Sequence, residues 1–190
     1  GKRAIELVFT ELHAGGKFSD KAYTTSAGLH GVGASVTNAL SEWLECSVCT
    51  KGEQYYIKFA NGGKIVEPLK LIGRTNRHGT LVRFKPDATI FSTVDFKWDT
   101  IYNHLQESAF LLKTVHFILK DERTGESVEF HYENGLQEYV EILNANNTPL
   151  SPVIDFEDNT SHIKMDIAFQ YCSGYYDERI YSYVNLSLIH

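Results

Sequence analysis

Apolar and polar positions change their period at a few points along the chain, and each change marks an element. Ile5, Val8, Phe9 and Leu12 recur at helical spacing and stop at Gly15-Gly16, a pair suited to ending a helix. Ile5, Leu7 and Phe9 also alternate as a strand would; the double-glycine stop favours the helix. Residues 18–27 are mainly small and polar, with Tyr23 standing out and no apolar period. Val32, Val36, Ala39, Leu40 and Trp43 then share one helical face, predicting a helix that starts in the glycine run and ends near Trp43. Short strands follow at 45–50, 54–60, 64–71 and 80–85, separated by Lys51-Gly52, Asn61-Gly62-Gly63 and Gly73. Turn-linked neighbours of this kind predict an antiparallel sheet.

The second half is read in the same way. Residues 99–113 carry Ile101, Leu105, Ala109 and Leu112 on one helical face. Residues 115–120 and 127–132 flank a five-residue turn as a hairpin, and 135–144 predict a short helix. The Asn- and Pro-rich run 144–152 breaks regular structure and sets an expected boundary between 147 and 148. Strands at 153–156, 163–170 and 180–184 belong to a second unit. The expected class is α+β, a two-layer sandwich of helices over one face of a mixed, mostly antiparallel sheet.

Chemistry concentrates between the first two helices. Glycines cluster at Gly15-Gly16 and again at Gly28, Gly31 and Gly33. Glycine allows close backbone approach, and a helix start offers unpaired N–H groups and a positive dipole end, so the expected ligand is an anion, usually phosphate. A Walker A loop is excluded, because Gly16-Lys17 is followed by Phe18 and lacks the upstream glycine. The dinucleotide fingerprint is also excluded, since Gly28-x-x-Gly31-x-Gly33 runs in reversed spacing. Lys17 either faces a phosphate or is a solvated lysine. His30 comes with neither a G-x-S-x-G elbow nor an H-E-x-x-H pair, so its backbone is the candidate contact. A polar segment between glycine hinges is also built to open and close over a ligand.

Composition narrows the setting. With 190 residues, 43% hydrophobic and 13% aromatic, the chain can bury a sizeable core. A net charge of −6 argues against its being the main grip on DNA. There is no bilayer-length apolar run and no signal peptide, and three cysteines, an odd number, fit a reducing cytoplasm. Cys46 and Cys49, three apart in a strand, point to opposite faces and read as packing residues.

Two words, HAGGKF at 13–18 and GLHGVGASVTNALS at 28–41, resemble the ATPase subunits of bacterial type II topoisomerases, gyrase B and its topoisomerase IV equivalent. These belong to the wider GHKL class of ATPases. The likeness runs from about Ala4 to Asn185, and FKPDATIFS and ESAFLLKTVHFILKDERTGE look nearer to topoisomerase IV of Gram-positive type. The resemblance implies a GHKL (Bergerat) ATPase fold without its N-terminal segment over 1–147, and the start of a transducer domain over 148–190. It implies ATP as ligand, with 18–27 as its lid. Gly16 and Lys17 would lie before the lid and Tyr23 within it, where a surface packing contact is the alternative for the ring. Gly28, Leu29, His30, Gly31, Val32, Gly33 and Ala34 would line the phosphates. Thr80 would sit on the pocket floor near the adenine, or else be an ordinary β-branched strand residue.

Departures from the family set limits. Its glutamate general base, its asparagine that holds magnesium (Mg2+) and its adenine-binding aspartate all stand upstream of HAGGKF, and Glu6 and Glu11 match none of them. No catalytic residue and no metal ligand is assigned within the chain. The resemblance implies an ATP-hydrolysing topoisomerase as the intact parent, with this piece inactive alone. Implied partners are DNA, a second copy of the subunit on ATP binding, and the DNA-cleaving subunit, with no membrane. Gly1 in place of methionine reads as a fragment, and 186–190 depart from the family and read as foreign sequence. The alternative from another class is a non-enzymatic nucleotide- or anion-binding module acting through a mobile lid.

Overall fold

The computed structural model describes residues 3–14, 31–160, 163–174, 178–184 and 187–189. The chain divides into two compact units, Gly1–Asp95 and Phe96–His190. The first contains α1 (Ala4–Thr10), α2 (Gly33–Ala39), β1 (Ser41–Thr50), β2 (Glu53–Ala60), β3 (Lys64–Arg74) and β4 (Gly79–Pro86). The four strands form one antiparallel sheet in the order β3-β2-β1-β4. Lys51 and Gly52 both take positive φ, 52° and 79°, which matches the twist of a tight hairpin between β1 and β2.

Alternation along β1 decides the layers. Leu44 and Cys46 have no solvent exposure and meet Ile57 and Phe59 of β2, which have none either. Phe9 of α1 closes this core, its ring 5.5 Å from that of Phe59, and Ile5, Ala34, Val48 and Leu69 pack at its rim. Burial pushes the Cys46 thiol up, while Cys49 is only half-buried, as the period of two requires. The opposite face is polar. Glu45 accepts the Tyr56 hydroxyl at 3.0 Å and Arg83 at 2.7 Å, and Gln54 donates to Ser47 at 2.9 Å. Desolvation and the Glu45 bond push Tyr56 up to about 12.

The helix after the glycine run is shorter than its apolar spacing predicts. It ends at Ala39, and Trp43 belongs to β1. Leu40 caps it, the Ser41 hydroxyl donates to the Thr37 carbonyl at 2.6 Å, and pairing with β4 begins at Ser41. The strand ladder therefore claims the residues that would have formed one more turn. The expected inward face is also displaced. Val36 is 41% exposed, while Ser35 and Asn38 are buried. Polar bonding, described below, turns this helix.

The second unit begins with α3 (Trp98–Leu111), β5 (Phe117–Lys120), β6 (Ser127–Phe130) and α4 (Leu136–Leu143). It continues with β7 (Thr148–Pro149), β8 (Ile154–Asn159), β9 (Lys164–Phe169), β10 (Cys172–Ser173), β11 (Ser182–Val184) and β12 (Ser187–Ile189). The pairs β5–β6, β7–β10, β8–β9 and β11–β12 are antiparallel. Ala109, Phe110 and Phe130 are buried, and the Phe110 ring lies between those of Tyr132 and Tyr139, 3.8 Å and 4.7 Å away. In the hairpin turn, hydrogen bonds from Arg123 hold the Asp121 carboxyl down at about 2. Lys113 reaches Glu157 and, at 3.2 Å, Asp166, tying the end of α3 to the β8–β9 hairpin. The pair β7–β10 was not foreseen, because two-residue strands inside an Asn- and Pro-rich run leave no period to read. Among the described residues, no helix is long and apolar enough to cross a membrane.

Gly135 caps the start of α4 at φ 54° and ψ −117°. A Cβ there would lie 2.9 Å from the Phe110 carbonyl oxygen and 2.9 Å from Lys113 Cγ, with Lys113 Cε nearer still. Gly135→Ala is expected to destabilise by roughly 2–3 kcal/mol through backbone strain and overlap. Gly125→Ala, at φ 80° with nothing within 4 Å, should cost only about 1 kcal/mol. Urea midpoints of the two variants check this, and equal shifts would contradict the close approach at Gly135.

Candidate functional site

Gly31 stands at φ 61°, a conformation that glycine takes without strain, and leads through Val32 into α2. Among the described residues, no side chain caps this helix start. The first intrahelical bond runs from Val36 N–H to the Val32 carbonyl at 2.9 Å, and the Ser35 hydroxyl is spent on the same carbonyl at 3.0 Å. The amides of the first turn are therefore left without a cap, the arrangement that binds anions. A Cβ at Gly33 would meet nothing within 4 Å among the described residues.

Thr80 lies on β4 opposite Val48. The period of two places it on the face that carries Leu44 and Cys46 on β1, the face on which Ala34 of α2 packs. Val82 and Phe84, two and four residues on, stay 43% and 41% exposed there, so this end of the helix-bearing face forms an uncovered shelf. Gly31, Val32, Gly33, Ala34 and Thr80 thus fall on one side of the sheet, and no hydrogen bond joins Thr80 to the others among the described residues. Gly16, Lys17, Tyr23, Gly28, Leu29, His30 and the lid 18–27 lie outside the described residues. Glu6 serves as a helix cap, accepting the Arg3 N–H at 3.1 Å, and Glu11 closes the same helix through its N–H. Among the described residues, no three His, Cys, Asp or Glu side chains gather as a metal site.

Comparison with known proteins converges on one group. The family model for DNA gyrase B matches residues 135–188. The B subunit of DNA topoisomerase 4 from Streptococcus pneumoniae is 52% identical over 187 residues, 97% of this chain and 29% of the relative. Its counterpart from Bacillus subtilis is 49% identical over 185 residues, 97% of this chain and 28% of the relative. The chain belongs to the family of gyrase B and the topoisomerase 4 B subunit. The crystal structure of the 43K ATPase domain of Thermus thermophilus gyrase B, in complex with an aminocoumarin, matches with a TM-score of 0.81 and 28% identity, over 99% of this chain and 47% of that one. The α+β architecture is therefore that of the GHKL ATPases. The chain spans under a third of the length of the curated relatives it matches.

In this segment of the gyrase B family, one side chain that sequence reasoning passed over fixes where the loop-to-helix turn sits. Asn38, only 1% exposed, donates through Nδ2 to the Phe9 carbonyl at 2.9 Å and to the Gly63 carbonyl at 3.1 Å. A single amide thus ties α2 to α1 and to the β2–β3 turn. Gly63, at φ 84°, must be glycine to admit it, since a Cβ would stand 3.0 Å from Nδ2. The amide oxygen is buried with no partner among the described residues. Its signal in the sequence was an amide in the middle of a small, apolar helical run. Asn38→Ala leaves two carbonyls unsatisfied, and a loss of roughly 2–3 kcal/mol in urea denaturation is expected. An unchanged midpoint would show that the contacts do not hold α2.

Proposed function

We propose that this chain forms part of the ATP-binding region of a type II topoisomerase, in which ATP binding and hydrolysis drive gate closure and DNA strand passage. One observation carries the reading: Gly31, inside the GLHGVGA word, takes φ 61° and opens into a helix start that no side chain caps among the described residues. The amides of Gly31, Val32, Gly33 and Ala34 would hold the phosphates, and the motif adds Gly16, Lys17, Gly28, Leu29 and His30. Thr80, on the same side of the sheet, would reach the adenine through its hydroxyl, and Tyr23 would close over the nucleotide with the lid.

Bound ATP supplies a high-energy phosphoanhydride bond; these residues bind it, orient it and exclude water from it. Uncapped amides suit a polyphosphate. Among the described residues no group of carboxylates that would fit Mg2+ converges near the helix start, and no step is assigned through the metal; the family resemblance puts its ligand outside this chain. We assign residues 1–147 to the ATPase role and 148–190 to the start of the transducer. This is a division of roles, distinct from the packing break after Asp95. The partners we assign are DNA, a second copy of this same protein and the DNA-cleaving subunit, all in the cytoplasm. No carboxylate of this chain is matched to the general base, which supports a second reading of the chain by itself: a nucleotide-binding module that signals through its lid without hydrolysis.

Titration of the isotope-labelled chain with a non-hydrolysable ATP analogue tests the site even at weak affinity. Amide resonances of Gly31–Ala34 and Thr80 should shift, and Gly31→Val should abolish the shifts by excluding positive φ and close phosphate approach. Thr80→Ala should weaken binding about 5- to 10-fold, the loss of one hydrogen bond. Shifts that survive Gly31→Val unchanged would remove the phosphate role. With ATP and Mg2+, the chain alone should show no turnover above background.

A further inference from the structure

Charge is unevenly spread over this acidic chain. Residues 41–86, the four-stranded sheet, hold eight of the 18 Lys and Arg residues but only four of the 24 Asp and Glu residues. Three of those four carboxylates are paired within the sheet: Glu42 with Lys85, Glu45 with Arg83 and Glu67 with Lys70. The fourth, Glu53, accepts the Tyr55 hydroxyl. Glu53 keeps its charge, since a tyrosine hydroxyl is neutral, and stands opposite Arg74. Among the described residues no ion pair engages Lys51, Arg74 or Arg77, and all three side chains are exposed.

Topology gathers these three cations at one end. Lys51 lies in the β1–β2 turn, Arg74 ends β3 opposite Glu53, and Arg77 and His78 lie in the loop that carries the chain from β3 to β4. Because the order is β3-β2-β1-β4, that loop must cross the ends of the two middle strands. It is pinned as it crosses, by Thr75 N–H to the Gly52 carbonyl at 2.9 Å and by Arg77 N–H to the Thr75 hydroxyl at 3.1 Å. Arg74 and Arg77, three residues apart, stand at most about 11 Å from each other along the backbone. The Thr75–Gly52 bond brings Lys51 beside them, so the cations form one short basic patch at the sheet end. Arg74 and Arg77 share one stretch of chain, and Lys51 lies on the turn bonded to it. Exposed cations on long side chains, with no buried polar group beside them among the described residues, suit the backbone of a polyanion, and duplex DNA presents one charge per about 1.7 Å of its axis.

We infer that Lys51, Arg74 and Arg77 form a secondary contact surface for the phosphate backbone of duplex DNA. The choice of DNA over another polyanion rests on the proposed function. The contact is sequence-independent and electrostatic, and it is local, so the chain's overall negative charge limits its affinity without abolishing it.

The test is fluorescence anisotropy of a labelled DNA duplex with the 190-residue chain over a range of salt concentrations. Three neutralised phosphates give a slope of log K against log salt of about −2.7. The variant K51Q/R74Q/R77Q should reduce the slope by about 2 to 3, with an unchanged urea midpoint because all three positions are exposed. Lys120→Gln, on the second unit, should leave the slope as it was. No salt-dependent binding by the parent chain, or an unchanged slope in the triple variant, would overturn the inference. So would competition by poly-glutamate as effective as that by duplex DNA, which would make this a protein-facing surface. Loss of ATP-analogue binding in the triple variant with DNA binding retained would assign the cations to the nucleotide and also overturn it. Gly31→Val separates the two readings: it tests the ATP site and should leave the DNA slope intact.

Discussion

Burial of Leu44 and Cys46 beneath the helices is the constraint on which the first unit depends. β1 is paired on both edges, so its helix-facing residues cannot escape the core without breaking two ladders. Burying side chains such as Leu44, Ile57 and Phe59 is worth roughly 1.5–3 kcal/mol each. With β1 fixed in this register, Thr80 must face the helix side through its pairing with Val48, and Ala34 must pack where α2 begins. The nucleotide reading therefore rests on a hydrophobic decision made some distance from any phosphate. The same register sends Glu45, Tyr56 and Arg83 to the opposite face, where they pair with one another.

The strands of the first hairpins were legible because two signals agreed. Alternation set the inward residues, and glycines that take positive φ, such as Gly52, Gly62 and Gly63, set the turns. Gly73, read as a break after 71, instead lies inside β3, which pairs on through Arg74. The end of α2 was not legible, because Leu40 and Trp43 fit a helical stripe while Trp43, Leu44 and Cys46 also fit a strand. Pairing with β4 settled the matter, and no local rule contains that partner. Asn38 was missed for a related reason. An apolar-face count gives an amide no weight, yet its two bonds to Phe9 and Gly63 orient the helix more specifically than the exposed Val36 would have. Phe110 is buried beside Ala109 because α3 buries a face wider than the stripe of Ile101, Leu105, Ala109 and Leu112.

In the second unit, packing is aromatic and ionic rather than aliphatic. Phe110 is sandwiched by Tyr132 and Tyr139, and the Tyr183 hydroxyl donates to Glu107 at 2.7 Å, joining β11 to α3. Desolvation and neighbouring hydroxyl and carboxylate groups push Tyr183 well above the usual phenol range, so it remains a donor at any physiological pH. Lys113 adds a second tie, its ammonium held protonated first by Glu157 and then by Asp166. The candidate phosphate site is proposed from a pattern that a sequence can display, and these ties are not. Its glycines form a contiguous word, whereas α3, β8 and β11 are brought together only by the fold.

Hydrogen exchange by mass spectrometry, with and without a non-hydrolysable ATP analogue, tests the central claim most directly. The account predicts that peptides covering 18–33 gain protection with the analogue, as backbone amides bond phosphate oxygens and the lid closes. Peptides from β1, whose amides are paired on both sides, should be protected equally in both states. Identical exchange over 18–33 in the two states would contradict the account, because the stretch on which the nucleotide reading rests would not respond to nucleotide.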